Sequence, residues 1–362
     1  MSDKRFIDIH VIQTVPPSCL NRDDTGSPKT AIYGGVQRAR VSSQSWKRAI
    51  RQMFNENLNE SELGVRTKKI VELVAERIIA KSEYSVDEAM SLAEKVINAA
   101  NITTKDQEAK ALFFMSSKQA DNLAELILLD TEPDKKAAQT ALKKGQGIDI
   151  ALFGRMLADD PSLNTDASAQ VAHAISTHRV DVEYDYFTAV DDRAPEDNAG
   201  AGMIGTIEYD SATLYRYATV AVHELISQLA NDVQATTRAL EEFVKAFVLS
   251  MPTGKQNTFA NRTPADAVLI CLRNDQPVNL VGAFEEAITL RPGDSGYVKP
   301  SIAKLAEYNQ KILSSFISKP EQCWAVGSDF SGLVEPVDLS AVLSSIRTVI
   351  QNGLNTSVAD GD

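Results

Sequence analysis

Gln44, Lys47, Arg48 and Arg51 have the types and spacing to hold a chain of phosphates. On a helix at 100° per residue, the three cations fall within about 60° of Gln44, and Trp46, Ala49, Ile50 and Met53 fall on the opposite side. Such a helix docks by its apolar face and offers a row of cations and an amide outward, which suits a sugar–phosphate backbone. No Asp or Glu occurs between Val36 and Asn55, so no partner within the helix neutralises the row. The loop before it adds Arg22, Lys29, Arg38 and Arg40. The first 51 residues hold nine Lys/Arg against four Asp/Glu, a net +5 in a chain whose total is −12. The residues alone leave three readings open: nucleic acid, an acidic protein partner, or the solvated face of an ordinary surface helix.

Other candidate chemistry is weaker. Gly200-Ala-Gly202-Met-Ile-Gly205 is a literal GxGxxG, but acidic turn-formers precede it and a strand-like TIEYDSATLY follows. The dinucleotide fingerprint needs a strand before and a helix after, so these glycines read as a flexible loop tip. His173 and His178 point to opposite faces of a strand and lie about 140° apart on a helix, so neither geometry makes a metal pair. Asp191-Asp192 and Asp23-Asp24 could ligate a metal, though turn and surface roles suit them better. A metal-dependent nuclease or RNA-processing enzyme built on Asp191-Asp192 with His173 or His178 is the competing enzymatic reading. No GxSxG, HExxH or phosphate-loop motif occurs, so no catalytic residue, metal or cofactor is expected. Lys135, Lys136, Lys143 and Lys144 form a second basic cluster, of which Lys136 and Lys143 share a face. Lys255 follows Pro252-Thr253-Gly254 in a polar loop.

These residues sit in a chain of 362 residues, enough for one elaborated domain or two. Three scattered cysteines (Cys19, Cys271, Cys323) argue for reduced thiols and a cytoplasmic location. No apolar run of about 18 residues is present, so no membrane partner is expected. The pI near 5.0 opposes coating of nucleic acid by the whole surface but allows a confined basic track. Residues 6–14 read as a strand and 17–35 as a loop, with Ser42 or Ser43 capping the basic helix. Residues 60–145 read as almost wholly helical, with capping boxes at Ser85/Glu88 and Thr104/Gln107 and a last helix between Pro133 and Gly145. Strands are expected at 148–153, 171–180, 184–190, 206–209, 214–222 and 267–272. Helices are expected at 224–250, 301–317 and 339–352, and a disordered tail after them. The order is an α+β plan, most simply a split βαβ (ferredoxin-like) sheet with large insertions.

Pro17-Ser-Cys-Leu-Asn-Arg-Asp-Asp24 and Arg40-Val-Ser-Ser-Gln-Ser-Trp-Lys-Arg-Ala-Ile-Arg51 resemble blocks of the CasC (Cse-type) family, the backbone subunit of the type I-E CRISPR Cascade. The segments 147–156, 172–178, 185–192 and 214–218, then Gly254-Lys-Gln and Pro264-Ala-Asp266, continue the resemblance in the same order over most of residues 7–270. It implies a hand-shaped protein: an RRM-like palm (1–59, 146–180 and 213–362), a large helical finger insertion (60–145) and a β-hairpin thumb (181–212). Copies of the chain would polymerise along CRISPR guide RNA, kinking it periodically and presenting it to target single-stranded DNA for antiviral defence. Other Cascade subunits (large, small, guide-end-capping and guide-processing) would be partners. Arg22, Ser42, Gln44, Lys47 and Arg51 would bind guide phosphates, with Arg48 and Lys255 joining the RNA-binding set. Met156, Phe187 and Thr188 would lie against bases, and Ile204 would wedge at the kink. Lys29, Lys136 and Lys143 would lie near target DNA.

Overall fold

The computed structural model describes residues 4–157, 160–189, 193 and 203–359, with side chains of the last helix described to Asn355. Its centre is an antiparallel sheet with β1 (Phe6–Ser18) in the middle. Strand Met203–Ala221 pairs with one side of β1, from Phe6↔Ala221 to Val15↔Ala212, and Ala267–Arg273 pairs with the other. Gln322–Val326 lies outside Ala267–Arg273. Beyond Met203–Ala221 lie the short strands Ala169–Val171 and Ala174–Ser176, and then the hairpin Thr30–Tyr33/Val36–Val41. The register shift after Val15 falls at Pro16-Pro17, where the missing N–H groups cannot continue the ladder.

Both faces of the sheet are covered, so β1 is buried along most of its length, including Asp8 and His10 on its second face. Ile7, Ile9 and Val11 face one layer, which includes α1 (Ser43–Asn57) and the helices Val233–Leu249 and Leu339–Ala359. Ile12, Tyr215 and Leu269 face the other, closed by the turn Leu280–Phe284 and the helix Val298–Ser315. Arg216 is buried in the first layer. Its guanidinium lies 3.7 Å from the Trp46 ring and 4.7 Å from Phe247, and it donates to Gln13 Oε1 (2.5 Å) and to the Phe247 carbonyl.

The helices Ile70–Lys81, Val86–Ala99, Ser117–Leu129 and Lys135–Lys143 gather around a separate apolar cluster that includes Val74, Ile78, Val96, Leu123 and Leu142. Two short ladders interrupt them, Gly64–Thr67 with Phe113–Ser116 and Thr104–Lys105 with Glu108–Ala109.

The Ser85/Glu88 box is present, with Glu88 Oε2 accepting from Ser85 N–H at 2.9 Å. Thr104–Gln107 is instead a tight hairpin, with Asp106 and Gln107 at positive φ. Residues 148–153 form a helix rather than a strand, bracketed by Gly147 as N-cap and by Gly154 at φ 76°. The expected strands at 206–209 and 214–222 are one continuous strand, and Gly205 belongs to it rather than to a loop tip. The expected loop at 17–35 contains the strand Thr30–Tyr33, and the expected helix at 224–250 is two helices, Val222–Gln228 and Val233–Leu249. The last helix runs to Ala359, through most of the segment expected to be a tail.

Candidate nucleic-acid interface

Ser42 begins α1: its hydroxyl accepts from Ser45 N–H (3.4 Å), and its own N–H donates to Asn21 Oδ1 (2.8 Å). Asn21 thus ties the loop carrying Arg22 to the start of the basic helix. Sequence spacing carries no signal for this bond, because its partners lie 21 residues apart. Ser42 is buried and holds the helix start.

The basic face of α1 divides. Gln44 and Arg48 are exposed, whereas Lys47 and Arg51 are half-buried and turn toward Phe153 and Phe114. The Lys47 ammonium lies 5.6 Å from the Phe153 ring centre, and burial holds its pKa below the usual lysine value. The Arg51 guanidinium lies 4.6 Å from the Phe114 ring and pairs with Asp149 Oδ2 at 3.3 Å. The neighbouring Asp149 oxygen accepts from Gly64 N–H at 2.8 Å. The row of cations therefore does have one counter-ion, supplied from residue 149 and not from α1 itself.

On the exposed side, two loops and the helix enclose a groove of about 650 Å³, lined among others by Arg22, Arg48, Gln52 and Lys255. Asp23 turns into its own loop, where Oδ1 accepts from Thr25 N–H (2.9 Å) and Ser27 N–H (3.0 Å), leaving Asp24 as the acid on the rim. Lys255 is placed by a close approach of two backbones: a Cβ on Gly254 would stand 2.2 Å from the Leu20 carbonyl oxygen. Lys255 itself adopts the left-handed region at φ 52°. Three cations from positions 22, 48 and 255 thus converge on one concave surface.

Near Cys19, at the foot of the loop, burial pushes Asp210 up to about 6. A carboxyl whose pKa is raised by folding takes up its proton in the native chain before the unfolded one does, so folding gains stability as pH falls through 6 toward 3.8. Asp210→Asn is therefore expected to be more stable than wild type at pH 7, with the gap narrowing toward pH 5. Urea midpoints of both proteins at the two pH values check this, and a constant gap would refute it.

The arm formed by Glu183–Ala189 and the outer half of Met203–Ala221 carries the other candidates. Thr188 opposes Ile204, and Tyr186 opposes Thr206, so Tyr184, Tyr186, Thr188 and Ile204 share one side. Phe187 opposes Gly205 on the other side, its ring covering the space a Cβ would occupy at 2.4 Å. The candidates Phe187, Thr188 and Ile204 are thus split between two faces. Ile204 is 63% exposed, as is Tyr186, an aromatic face beyond the expected set. Asp191 and Asp192 of the nuclease reading, and Gly200 and Gly202, lie outside the described residues.

Met156 is 88% exposed, next to a buried Arg155 that donates to the carbonyls of Phe114 (3.1 Å) and Leu163 (3.1 Å). Arg155 thereby fixes the loop from which Met156 projects. Lys29 is half-buried beside Asp210 and Arg40, in a small recess that adjoins the α1 groove at Leu20 and Asn21. Lys136 and Lys143 are exposed on the helix Lys135–Lys143, remote in sequence and fold from the groove. His178 Nε2 accepts from Thr213 N–H (3.1 Å), so Nδ1 carries the proton and donates to the Arg179 carbonyl (2.8 Å). With its ring also stacked on Tyr297 at 3.7 Å, His178 has no nitrogen left for a metal. His173 lies on the surface with Nδ1 3.4 Å from Arg40. Among the described residues no three His, Cys, Asp or Glu side chains converge on a metal-sized site, and no helix is long and apolar enough to cross a membrane.

Solved structures similar over nearly the whole chain include two from RNA-guided complexes. One is a chain of a CRISPR RNA-guided surveillance complex, pre-nicking, with 32% identity and a TM-score of 0.80 over 94% of this chain and 100% of that one. Another is a chain of a CRISPR RNA-guided surveillance complex, with 30% identity and a TM-score of 0.62 over 94% of this chain and 99% of that one. No curated protein sequence matches. The family model described as CT1975-like protein matches residues 7–351, so the chain belongs to the CT1975-like protein family.

Proposed function

We propose that this chain is the non-catalytic backbone subunit of a type I-E CRISPR Cascade, binding guide RNA and polymerising along it with further copies of itself. In this reading it presents the guide to target single-stranded DNA, and the large, small, guide-end-capping and guide-processing subunits complete the assembly. The central sheet acts as an RRM-like palm, the helices between 70 and 143 as fingers, and the arm at 183–209 as a thumb. The strand order Ala267–Arg273, β1, Met203–Ala221, Ala174–Ser176, with α1 and Val233–Leu249 on one face, supports the palm.

The observation that carries the reading is the groove where Arg22, Arg48 and Lys255 converge. Point and fork cations around an open channel fit a phosphate backbone and carry no base preference. That suits a protein whose sequence specificity is delegated to base pairing. The exposed Tyr186 and Ile204 on the arm supply apolar surface of the kind that stacks on or separates bases.

The test is co-expression with a CRISPR array and the sister subunits, a high-salt wash, and sequencing of the retained RNA. Discrete repeat-and-spacer RNA is the expected result. An assembly that forms without RNA would refute the reading. So would Mn²⁺-dependent cleavage of single-stranded RNA by the purified chain that Asp191→Ala abolishes.

A further inference from the structure

Arg66, on the strand Gly64–Thr67 at the base of the fingers, belongs to no motif of the sequence. Its guanidinium lies 5.0 Å from the Phe114 ring centre, the same ring that Arg51 approaches at 4.6 Å. Lys47, one turn away from Arg51 on α1, lies over Phe153. Three cations therefore meet around two aromatic rings, with Asp149 the acid that pairs among them. Asp149 is already committed to Arg51 and to the Gly64 N–H. Among the described residues, neither Arg66 nor Lys47 has an ion pair or a hydrogen bond from its charged group.

We propose that Lys47, Arg51 and Arg66 together form a second anion site that holds one phosphate of the RNA backbone where α1 meets the base of the fingers. The inference rests on the guide-RNA reading and extends it to a residue outside α1. Held together, like charges repel, and each loses part of its hydration against the rings. Burial, reinforced by the neighbouring cations, lowers the pKa of both Lys47 and Arg66. A phosphate relieves that repulsion and supplies acceptors for the free guanidinium and ammonium donors. The rings hold the cations in place without neutralising them, as cation–π contact does.

The site is tested by fluorescence anisotropy of labelled single-stranded RNA with the full chain across a KCl series, for wild type, Arg66→Ala, Arg66→Lys and Arg48→Ala. Arg66→Ala is expected to weaken binding about tenfold and to lower the log–log salt slope by about 0.7, one single-strand phosphate contact. Arg66→Lys keeps the slope, because it keeps the charge. Arg66 is exposed and donates no hydrogen bond, so melting temperature stays close to wild type. An unchanged slope and affinity for Arg66→Ala, with Arg48→Ala losing both, would overturn the site and leave the guide-RNA reading standing. No RNA binding by the wild-type chain, alone or with its sister subunits, would overturn both.

Discussion

Replacing Arg22, Arg48 and Lys255 together by Ala is expected to release RNA at moderate salt. At about 1 kcal/mol net per contact the loss is roughly 3 kcal/mol, on the order of a hundredfold in Kd. With a slope near 0.7 per single-strand phosphate, the log–log salt dependence should flatten by about two. The loss should be the same for unrelated RNA sequences, because phosphates carry no sequence. These three residues make a cleaner test than Lys47 with Arg51. Arg51 also holds Asp149, whose other oxygen fixes the Gly64 N–H, so removing it perturbs the attachment of the strand Gly64–Thr67 as well as the charge. The triple variant touches a groove wall and should melt with wild type. Filter binding against several RNA sequences over a salt series decides: a loss confined to some sequences would contradict a backbone role.

The largest effect on stability is expected at Arg216. Burial pushes its pKa down to about 9, so it remains protonated at neutral pH inside the layer between α1 and the sheet. Arg216→Ala would leave Gln13 Oε1 and the Phe247 carbonyl without their donor and open a cavity beneath Trp46. Each buried acceptor left without a donor costs about 1–3 kcal/mol and the cavity adds to that, so the loss is on the order of 3–5 kcal/mol, a large share of an ordinary domain's stability. Arg216→Met restores much of the volume but not the donors, so it should lose less. Urea unfolding followed by tryptophan fluorescence reports both, since Trp46 sits directly on the substituted side chain. A midpoint for Arg216→Ala equal to wild type would show that the guanidinium is dispensable.

The parts of the molecule governed by local pattern were legible in the sequence. α1 follows from the apolar stripe of Trp46, Ala49 and Ile50 and from Ser42 before it, and β1 from its apolar run ending at a double proline. The segment Ile148–Phe153 misled because isoleucines at alternate positions imitate a strand. Its helix is set by flanking glycines and by the need for Asp149 to reach Gly64 and Arg51, neither of which lies nearby in sequence. The same reason explains the interface. Arg48 could be read as an exposed cation on a helix, but its convergence with Lys255 depends on Gly254 meeting Leu20 across more than 200 residues of chain. Arg66 was invisible because its significance lies in sharing the Phe114 ring with Arg51. The split of Phe187 from Thr188 and Ile204 was, by contrast, implicit in strand alternation once the pairing register was known.

The strand Met203–Ala221 works as a cantilever. Residues from Asp210 to Val220 are held against β1, while the seven residues before them, 203–209, reach outward beside Glu183–Ala189. At about 3.3 Å per residue that outer length projects roughly 23 Å. Its length sets the reach of the tip, and its parity sets which way the tip faces. Deleting one residue from the outer half would shorten the beam by about 3.3 Å and also turn Ile204 to the opposite side, whereas deleting two would shorten it without turning it. In the proposed role, the stride along the guide could change only in steps of two residues if the same side chains are to keep facing it.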